Sequence, residues 1–162
     1  MAVVKTLKEL SNDIKVAATS ASWATWKFGY LGEVNSSTST TYPLILLTPP
    51  SSSYENPYKN EEVFRLEFHL YQQQLKEYDD LGNLAAPNDN DTLEATYDSL
   101  QNRFFEMISA LCMNNEHKYV VEGGWELERI SQVHNDLLVG LEITIRLRKF
   151  STPCLSYSTK PH

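Results

Sequence analysis

The sequence has little of what most catalytic and membrane proteins need. It contains 2 cysteines and 6 glycines among 162 residues, with no Cys-x-x-Cys or His-x-x-x-His pair to hold a structural zinc ion. It has no glycine-rich phosphate loop and no nucleophile elbow. It also lacks a signal peptide and any run near the roughly 20 apolar residues of a membrane span. These absences predict a soluble protein made in a reducing cytoplasm, with no catalytic residue, metal or cofactor.

The composition is that of a globular protein with an acidic excess. Hydrophobic residues make up 41% of the chain and charged residues 22%, which argues against wholesale disorder. The net charge of −7 argues against a phosphate-binding surface as the main function, because such proteins usually carry a basic excess. The length suits one domain with a core of its own.

Two segments have the periodicity of amphipathic helices. Residues 3–18 place apolar side chains three and four positions apart, with charged residues between them. A second helix is predicted to open at Asp91, with Glu94 completing a capping box. Its apolar stripe includes Leu100 and Phe104, which we expect to be core residues.

Three longer segments alternate between apolar and polar residues, as half-buried strands do. They are residues 63–72, 118–133 and 136–150, and the last two are joined by the short connection VHND. This spacing predicts a long antiparallel hairpin. Gly123 and Gly124 within its first strand indicate a β-bulge.

The order of these segments predicts an α+β fold. We expect an antiparallel sheet with a long C-terminal β-hairpin and two main helices packed on one face. YPLILLTPP adds a short apolar strand ended by two prolines. Residues 1–150 form the single predicted domain, residues 48–62 and 76–91 are predicted to be long loops, and residues 151–162 a polar tail.

The histidines and acidic pairs allow a catalytic or cation-binding interpretation. His69 and Glu67 lie two residues apart and so share one strand face. The simpler interpretation is a half-exposed face of mixed polar residues. Paired loop carboxylates such as Asp79 and Asp80 could bind a cation or act as acid and base, but solvated loop acids are the usual explanation.

The combination of segments resembles a family of phage proteins. YPLILLTPP, VFRLEFHLYQ, LEATYDSLQNRFFEMISAL and ERISQVHNDLLVGLEITIRLRKF occur in this order. The chain is similar to the tail-terminator and neck-ring proteins of tailed bacteriophages, particularly from phages of Bacteroidetes hosts, including the crAss-like group. His134, Asn135 and Asp136 in the hairpin turn, then Arg148 and Phe150, stand in places comparable to the family pattern. The resemblance covers roughly residues 40–150.

The resemblance implies a structural virion protein with no catalytic residues. Such proteins form homo-oligomeric rings of about six or twelve subunits in the head-to-tail connector or at the tail top. The ring contacts the portal, an adjacent neck ring or tail proteins, and it frames a channel through which DNA passes without sequence-specific binding. The implied location is the virion neck or tail, after assembly in the host cytoplasm.

A ring requires contacts between unlike surface patches, and the last strand offers one. Glu142, Arg146 and Arg148 project from its polar face. We hypothesise that this face forms part of the subunit contact, opposite acidic loops of the next subunit; a solvated sheet face is the alternative. The acidic residues are Asp79, Asp80, Asp89 and Asp91.

Two other function classes remain open at this stage. One is a small soluble enzyme, for example a hydrolase that uses His69 and loop carboxylates. The other is a monomeric assembly or binding module. The size of the protein in solution separates a ring from both.

Overall fold

The computed structural model of the chain describes residues 6–30, 41–56, 61–73, 93–115, 118–133 and 138–150. Within these ranges the chain forms two helices and a six-stranded sheet. The elements are α1 (Thr6–Ser20), β1 (Thr25–Phe28), β2 (Leu44–Leu47), β3 (Ser51–Asn56), β4 (Glu61–Gln73), α2 (Leu93–Asn114), β5 (Tyr119–Val133) and β6 (Leu138–Phe150).

The sheet has the strand order β1-β2-β4-β6-β5, and β3 pairs with the first part of β4. The pairing of β1 with β2 is parallel, and every other pairing is antiparallel. The predicted α+β class with a C-terminal hairpin is therefore confirmed. The long β4 and β6 strands form the centre of the sheet.

The main hydrophobic core lies between the helices and one face of the sheet, and a smaller cluster of Leu44, Leu46 and Tyr71 lies apart from it. Alternate residues of β4 and β6 point into it, as the period-two pattern predicts. The prediction that Leu100 and Phe104 are core residues of the second helix is confirmed, because both are buried. The Phe104 ring makes edge-to-face contacts with Phe68 and Trp125, at centroid distances of 5.1 and 5.3 Å. Helix α1 contributes Leu10 and other residues to the same core. Both helices therefore pack on this face of the sheet.

A local hydrogen bond marks the C-terminal end of the second helix. Asn115 follows the helix and donates from Nδ2 to the Leu111 carbonyl at 2.7 Å, which satisfies one of the last carbonyl groups. The predicted N-cap, Asp91, lies outside the described residues, and the helix begins by Leu93.

The hairpin carries the predicted bulge. The pairing of β5 with β6 shifts register between Glu122 and Glu126. Gly123 has a φ of 69°, a left-handed conformation that glycine adopts without the steric cost of a Cβ atom. The sequence signal at Gly123 and Gly124 is therefore confirmed.

The predicted loop over residues 48–62 is wrong in part. Ser51–Asn56 forms strand β3, which pairs with β4, and β4 itself begins at Glu61. Because a polar edge strand is held by backbone hydrogen bonds, it needs no apolar alternation, and its serine-rich composition resembles that of a loop. The predicted loop at residues 76–91 and the tail at residues 151–162 lie outside the described residues.

Neither described helix is long and apolar enough to cross a membrane.

Candidate functional site: the polar face of the sheet

The face of the sheet opposite the helices carries most of the chemistry that the structure describes. We call it the polar face and define it by Arg65, Glu67 and His69 of β4 with Glu142 and Arg146 of β6. Residues two apart on a strand share a face, and the register pairs His69 with Glu142 and Arg65 with Arg146. The sequence alternation and the β4–β6 register together create this surface.

His69 lies between two carboxylates. Its Nε2 is 3.0 Å from Glu67 Oε1, and its Nδ1 is 3.3 Å from Glu142 Oε1. The Nε2–H donates a hydrogen bond to Glu67, whereas Nδ1 makes no hydrogen bond within the described part of the chain. The sequence prediction placed His69 beside Glu67 correctly, but Glu142 comes from a distant strand.

The predicted half-exposure of His69 is wrong. The residue is 1% exposed, while the Glu67 and Glu142 side chains are 39% and 32% exposed. His69 occupies a middle strand, because β2 pairs on one side of β4 and β6 on the other. Leu44 and Leu46 of β2, on the same face, are buried as well, so this part of the face is covered, which an isolated strand pattern cannot reveal.

A third carboxylate extends the acidic row. Glu128 of β5 is the register partner of Glu142, and like charges directly opposite each other in an antiparallel pair are unfavourable. The nearby cation is Arg65, whose Nη1 lies 3.9 Å from Glu67 Oε2. Burial, followed by the charge of Glu142, also raises the pKa of Tyr71 to about 12. The surroundings of His69 are thus strongly anionic.

This cluster has the ligand atoms that a cation-binding site needs. One histidine nitrogen and one carboxylate oxygen from each of Glu67 and Glu142 lie within 4.8 Å of one another. Imidazole and carboxylate groups suit Zn²⁺ and Mn²⁺. A substrate cannot reach the buried ring, so the arrangement suits ion binding better than acid–base catalysis.

The other end of the polar face is basic. Arg148 is mostly buried and bonds two acids of its own chain, Glu122 through Nε and Glu61 through Nη1, the latter at 2.9 Å. Arg146 and its register partner Arg65 are exposed. Of the interface residues predicted on β6, Arg148 therefore serves the fold of the subunit, while Arg146 is exposed at the surface.

The remaining predicted interface residues cannot be placed. Asp79, Asp80, Asp89 and Asp91 lie outside the described residues. Their proposed role opposite the arginines stays a hypothesis from the sequence.

Sequence reasoning missed a second charge cluster, where α1 meets the hairpin. Lys149 is buried on the core face and donates to Glu9 Oε2 at 3.1 Å and to the Thr6 carbonyl at 3.3 Å. Lys118 pairs with Glu9 as well. Burial lowers the pKa of both lysines, and the charge of Lys149 lowers that of Lys118 further. Glu9 lies over a hundred residues from both lysines in the sequence. No local sequence pattern could therefore have predicted this cluster.

Arg103 occupies a surface groove between the helices. The groove has a volume of about 510 Å³ and is lined in part by Ser22, Asp98 and Glu106. Arg103 donates to the carbonyls of Ala21 and Ser22. This guanidinium caps the end of α1, so the groove has a structural explanation.

Comparison of the chain with protein-family models found no matching family, and a search of curated proteins found no match.

Proposed function

We propose that this chain is a structural subunit of a ring in the head-to-tail connector, or at the tail top, of a tailed bacteriophage. The ring would frame the DNA channel and join adjacent rings. The observation that carries the proposal is the order of elements behind the family resemblance: β2, β4, α2 and the β5–β6 hairpin follow one another as the resembling segments do.

The described surface supports an assembly role over a catalytic one. His69 is the residue of the polar face best suited to acid–base catalysis, and it is only 1% exposed. The groove between the helices is shallow and open to solvent. Arg103, which lines it, already donates a hydrogen bond to the Ser22 carbonyl. What the described residues do present to solvent is charge arranged across a rigid sheet, which suits recognition of another protein.

The subunit contact that we propose uses Arg65 and Arg146. These arginines are register partners, so their side chains stand next to each other on adjacent strands. The Arg65 side chain is 56% exposed, and Arg146 is exposed too. Arginine is enriched at the centres of protein interfaces, where truncation commonly costs about 2 kcal/mol or more.

The proposed contact calls for an acidic patch on the next subunit. The 21 acidic residues of the chain exceed its 14 lysines and arginines, and opposite charges across an interface favour the correct partner. The sequence hypothesis assigns that role to the acidic segments around Asp79 and Asp89. Such a contact joins two unlike patches, as closure of a ring requires.

The test is a double charge reversal, Arg65→Glu with Arg146→Glu. The matched control is Lys8→Glu with Lys15→Glu, which changes the same total charge at exposed positions of α1. Mass in solution and electron microscopy should show rings for the wild type and the control, and folded monomers for the arginine variant. A monomeric wild type at high concentration would refute the ring. Rings that survive the arginine reversal would move the contact elsewhere.

A small hydrolase-like enzyme is the second candidate. The contact of His69 with Glu67 favours it, whereas the burial of His69 argues against it. Its test is hydrolysis of ester and phosphoester substrates by the wild type and by His69→Gln. Activity that depends on His69 would favour the enzyme over the ring. A folded monomer without such activity would favour a binding or assembly module.

A further inference from the structure

Among the residues that the structure describes, none hydrogen-bonds one ring nitrogen of the polar-face histidine. His69 Nε2 is hydrogen-bonded to Glu67 Oε1 at 3.0 Å, so Nδ1 is the ring nitrogen that remains to coordinate an ion. Nδ1 is buried and lies 3.3 Å from Glu142 Oε1. A cation that both atoms coordinate would satisfy the two groups at once.

We propose that His69 and Glu142 bind a divalent transition-metal ion such as Zn²⁺, with Glu67 as the positioning residue. The ion would bridge His69 Nδ1 and the Glu142 carboxylate. Glu67 would hold the imidazole in place through Nε2–H, an arrangement common behind metal-bound histidines. The proposal is independent of the ring function.

The spacing of the donor atoms fits such an ion. Zinc–nitrogen and zinc–oxygen bonds of about 2.0–2.1 Å place two ligand atoms of a tetrahedral site about 3.3–3.4 Å apart. The observed separation of Nδ1 and Oε1 is 3.3 Å. Glu142 is about one-third exposed, so water can complete the coordination on that side.

The charge of the surroundings points the same way. Glu128 stands opposite Glu142, and Glu67 lies on the other side of the imidazole ring. Three carboxylates around one histidine repel one another, and a divalent ion offsets that repulsion. The bound ion would link β4 to β6 and thereby strengthen the centre of the sheet.

This inference departs from the sequence prediction of no metal site. Characteristic spacings in a sequence reveal metal ligands that lie close together on one helix or in one loop. Here His69 and Glu142 belong to strands far apart in the sequence, and the β4–β6 register alone makes them neighbours.

The experiment uses tag-free full-length protein, stripped with a chelator and titrated calorimetrically with ZnCl₂. We expect one saturable site per chain. Glu142→Gln should weaken binding by at least tenfold, and His69→Gln should abolish it. Glu67→Gln should weaken it by about 10- to 100-fold. Glu106→Gln, which removes an exposed carboxylate from α2, should leave it unchanged.

Cobalt gives a second readout. Co²⁺ bound to the stripped protein should show the visible absorption of a tetrahedral site, and this band should disappear in Glu142→Gln. Circular dichroism without metal checks that each variant folds; the part-exposed Glu142 makes its variant informative even if His69→Gln unfolds. Absence of saturable binding, or unchanged binding in Glu142→Gln, would overturn the proposal. Assembly measured in chelator tests the ring separately.

Discussion

The Tyr119 hydroxyl donates a hydrogen bond to Asp13 Oδ2, and this contact joins the start of β5 to helix α1. Tyr119 is almost fully buried. Lys118, the preceding residue, lies 3.9 Å from the same carboxylate and pairs with Glu9. The N-terminal helix is therefore held on the sheet by polar contacts at one end as well as by its apolar face.

Replacing Tyr119 with Phe should destabilise the protein at neutral pH by about 1.5–3 kcal/mol, the usual contribution of a hydrogen bond to a charged group. The loss arises because Asp13 keeps its charge without that donor. Urea unfolding measures the difference. Tyr30→Phe removes a hydroxyl from an exposed side chain and serves as the control, with no change expected.

The same variant should alter the response to alkaline pH. Burial raises the pKa of Tyr119, and the hydrogen bond to Asp13 and the charge of Asp13 raise it further. Above about pH 10 the unfolded chain loses this proton while the folded chain keeps it, so stability falls as pH rises. Tyr119→Phe should lack this part of the decline.

Lys118 and Lys149 change the stability in the opposite direction, over a lower pH range. Their lowered pKa values mean that the unfolded state binds more protons below about pH 10.5, so their contribution to stability increases as pH rises to that point. Because the lysines remain in Tyr119→Phe, the difference between the two urea-midpoint curves isolates the tyrosine. Parallel curves from about pH 9 to 12 would contradict the assignment.

Phe104→Ala should cost about 3–5 kcal/mol in urea unfolding, because the residue is fully buried against Phe68 and Trp125. The adjacent Phe105 is 42% exposed and touches the Trp125 ring on one side. Phe105→Ala is the matched control and should cost well under half as much. A loss below about 1 kcal/mol for Phe104→Ala would contradict its place in the core.

Periodicity made the larger elements predictable. The hairpin strands, β4 and the stripe of α2 each bury one side against a single core, and this requirement appears directly in the sequence as a period of two or of 3.6. The bulge was predictable as well, since Gly123 adopts a positive φ that other residues adopt at a steric cost.

The features that the sequence did not reveal depend on contacts between distant segments. Strand β3 is polar and is defined by its ladder with β4. Lys149 stands at a core-facing position of β6, where alternation predicts an apolar residue, and its partner Glu9 lies on the first helix. The same holds for the contact of His69 with Glu142, which follows from the register of β4 with β6.

Gly123→Ala should destabilise the hairpin by about 1–2 kcal/mol, because an L-residue with a Cβ atom is strained at a φ of 69°. The space around the missing Cβ is open, so the cost comes from the backbone alone. Gly124→Ala, beside it, also meets open space but lacks the positive φ, and it should be near neutral. Equal urea midpoints for the two variants would show that the bulge relaxes without cost.

Arg148→Met should destabilise the subunit by about 2–3 kcal/mol, because Glu61 and Glu122 would lose the guanidinium that both of them bond. These carboxylates are less than one-third exposed, so water compensates only in part. Arg146→Met is the matched control, two residues away on the same face but exposed. It should cost less than about 1 kcal/mol.

The comparison of these two arginines decides how the subunit contact must be tested. Charge reversal at Arg148 would place a third carboxylate beside Glu61 and Glu122 and unfold the subunit, so loss of assembly would say nothing about an interface. Reversal at Arg65 and Arg146 should cost the fold less, because both side chains are at the surface. If Arg148→Met unfolds in urea like the wild type but no longer assembles, Arg148 itself belongs to the contact between subunits, and its bonds to Glu61 and Glu122 add little to the fold.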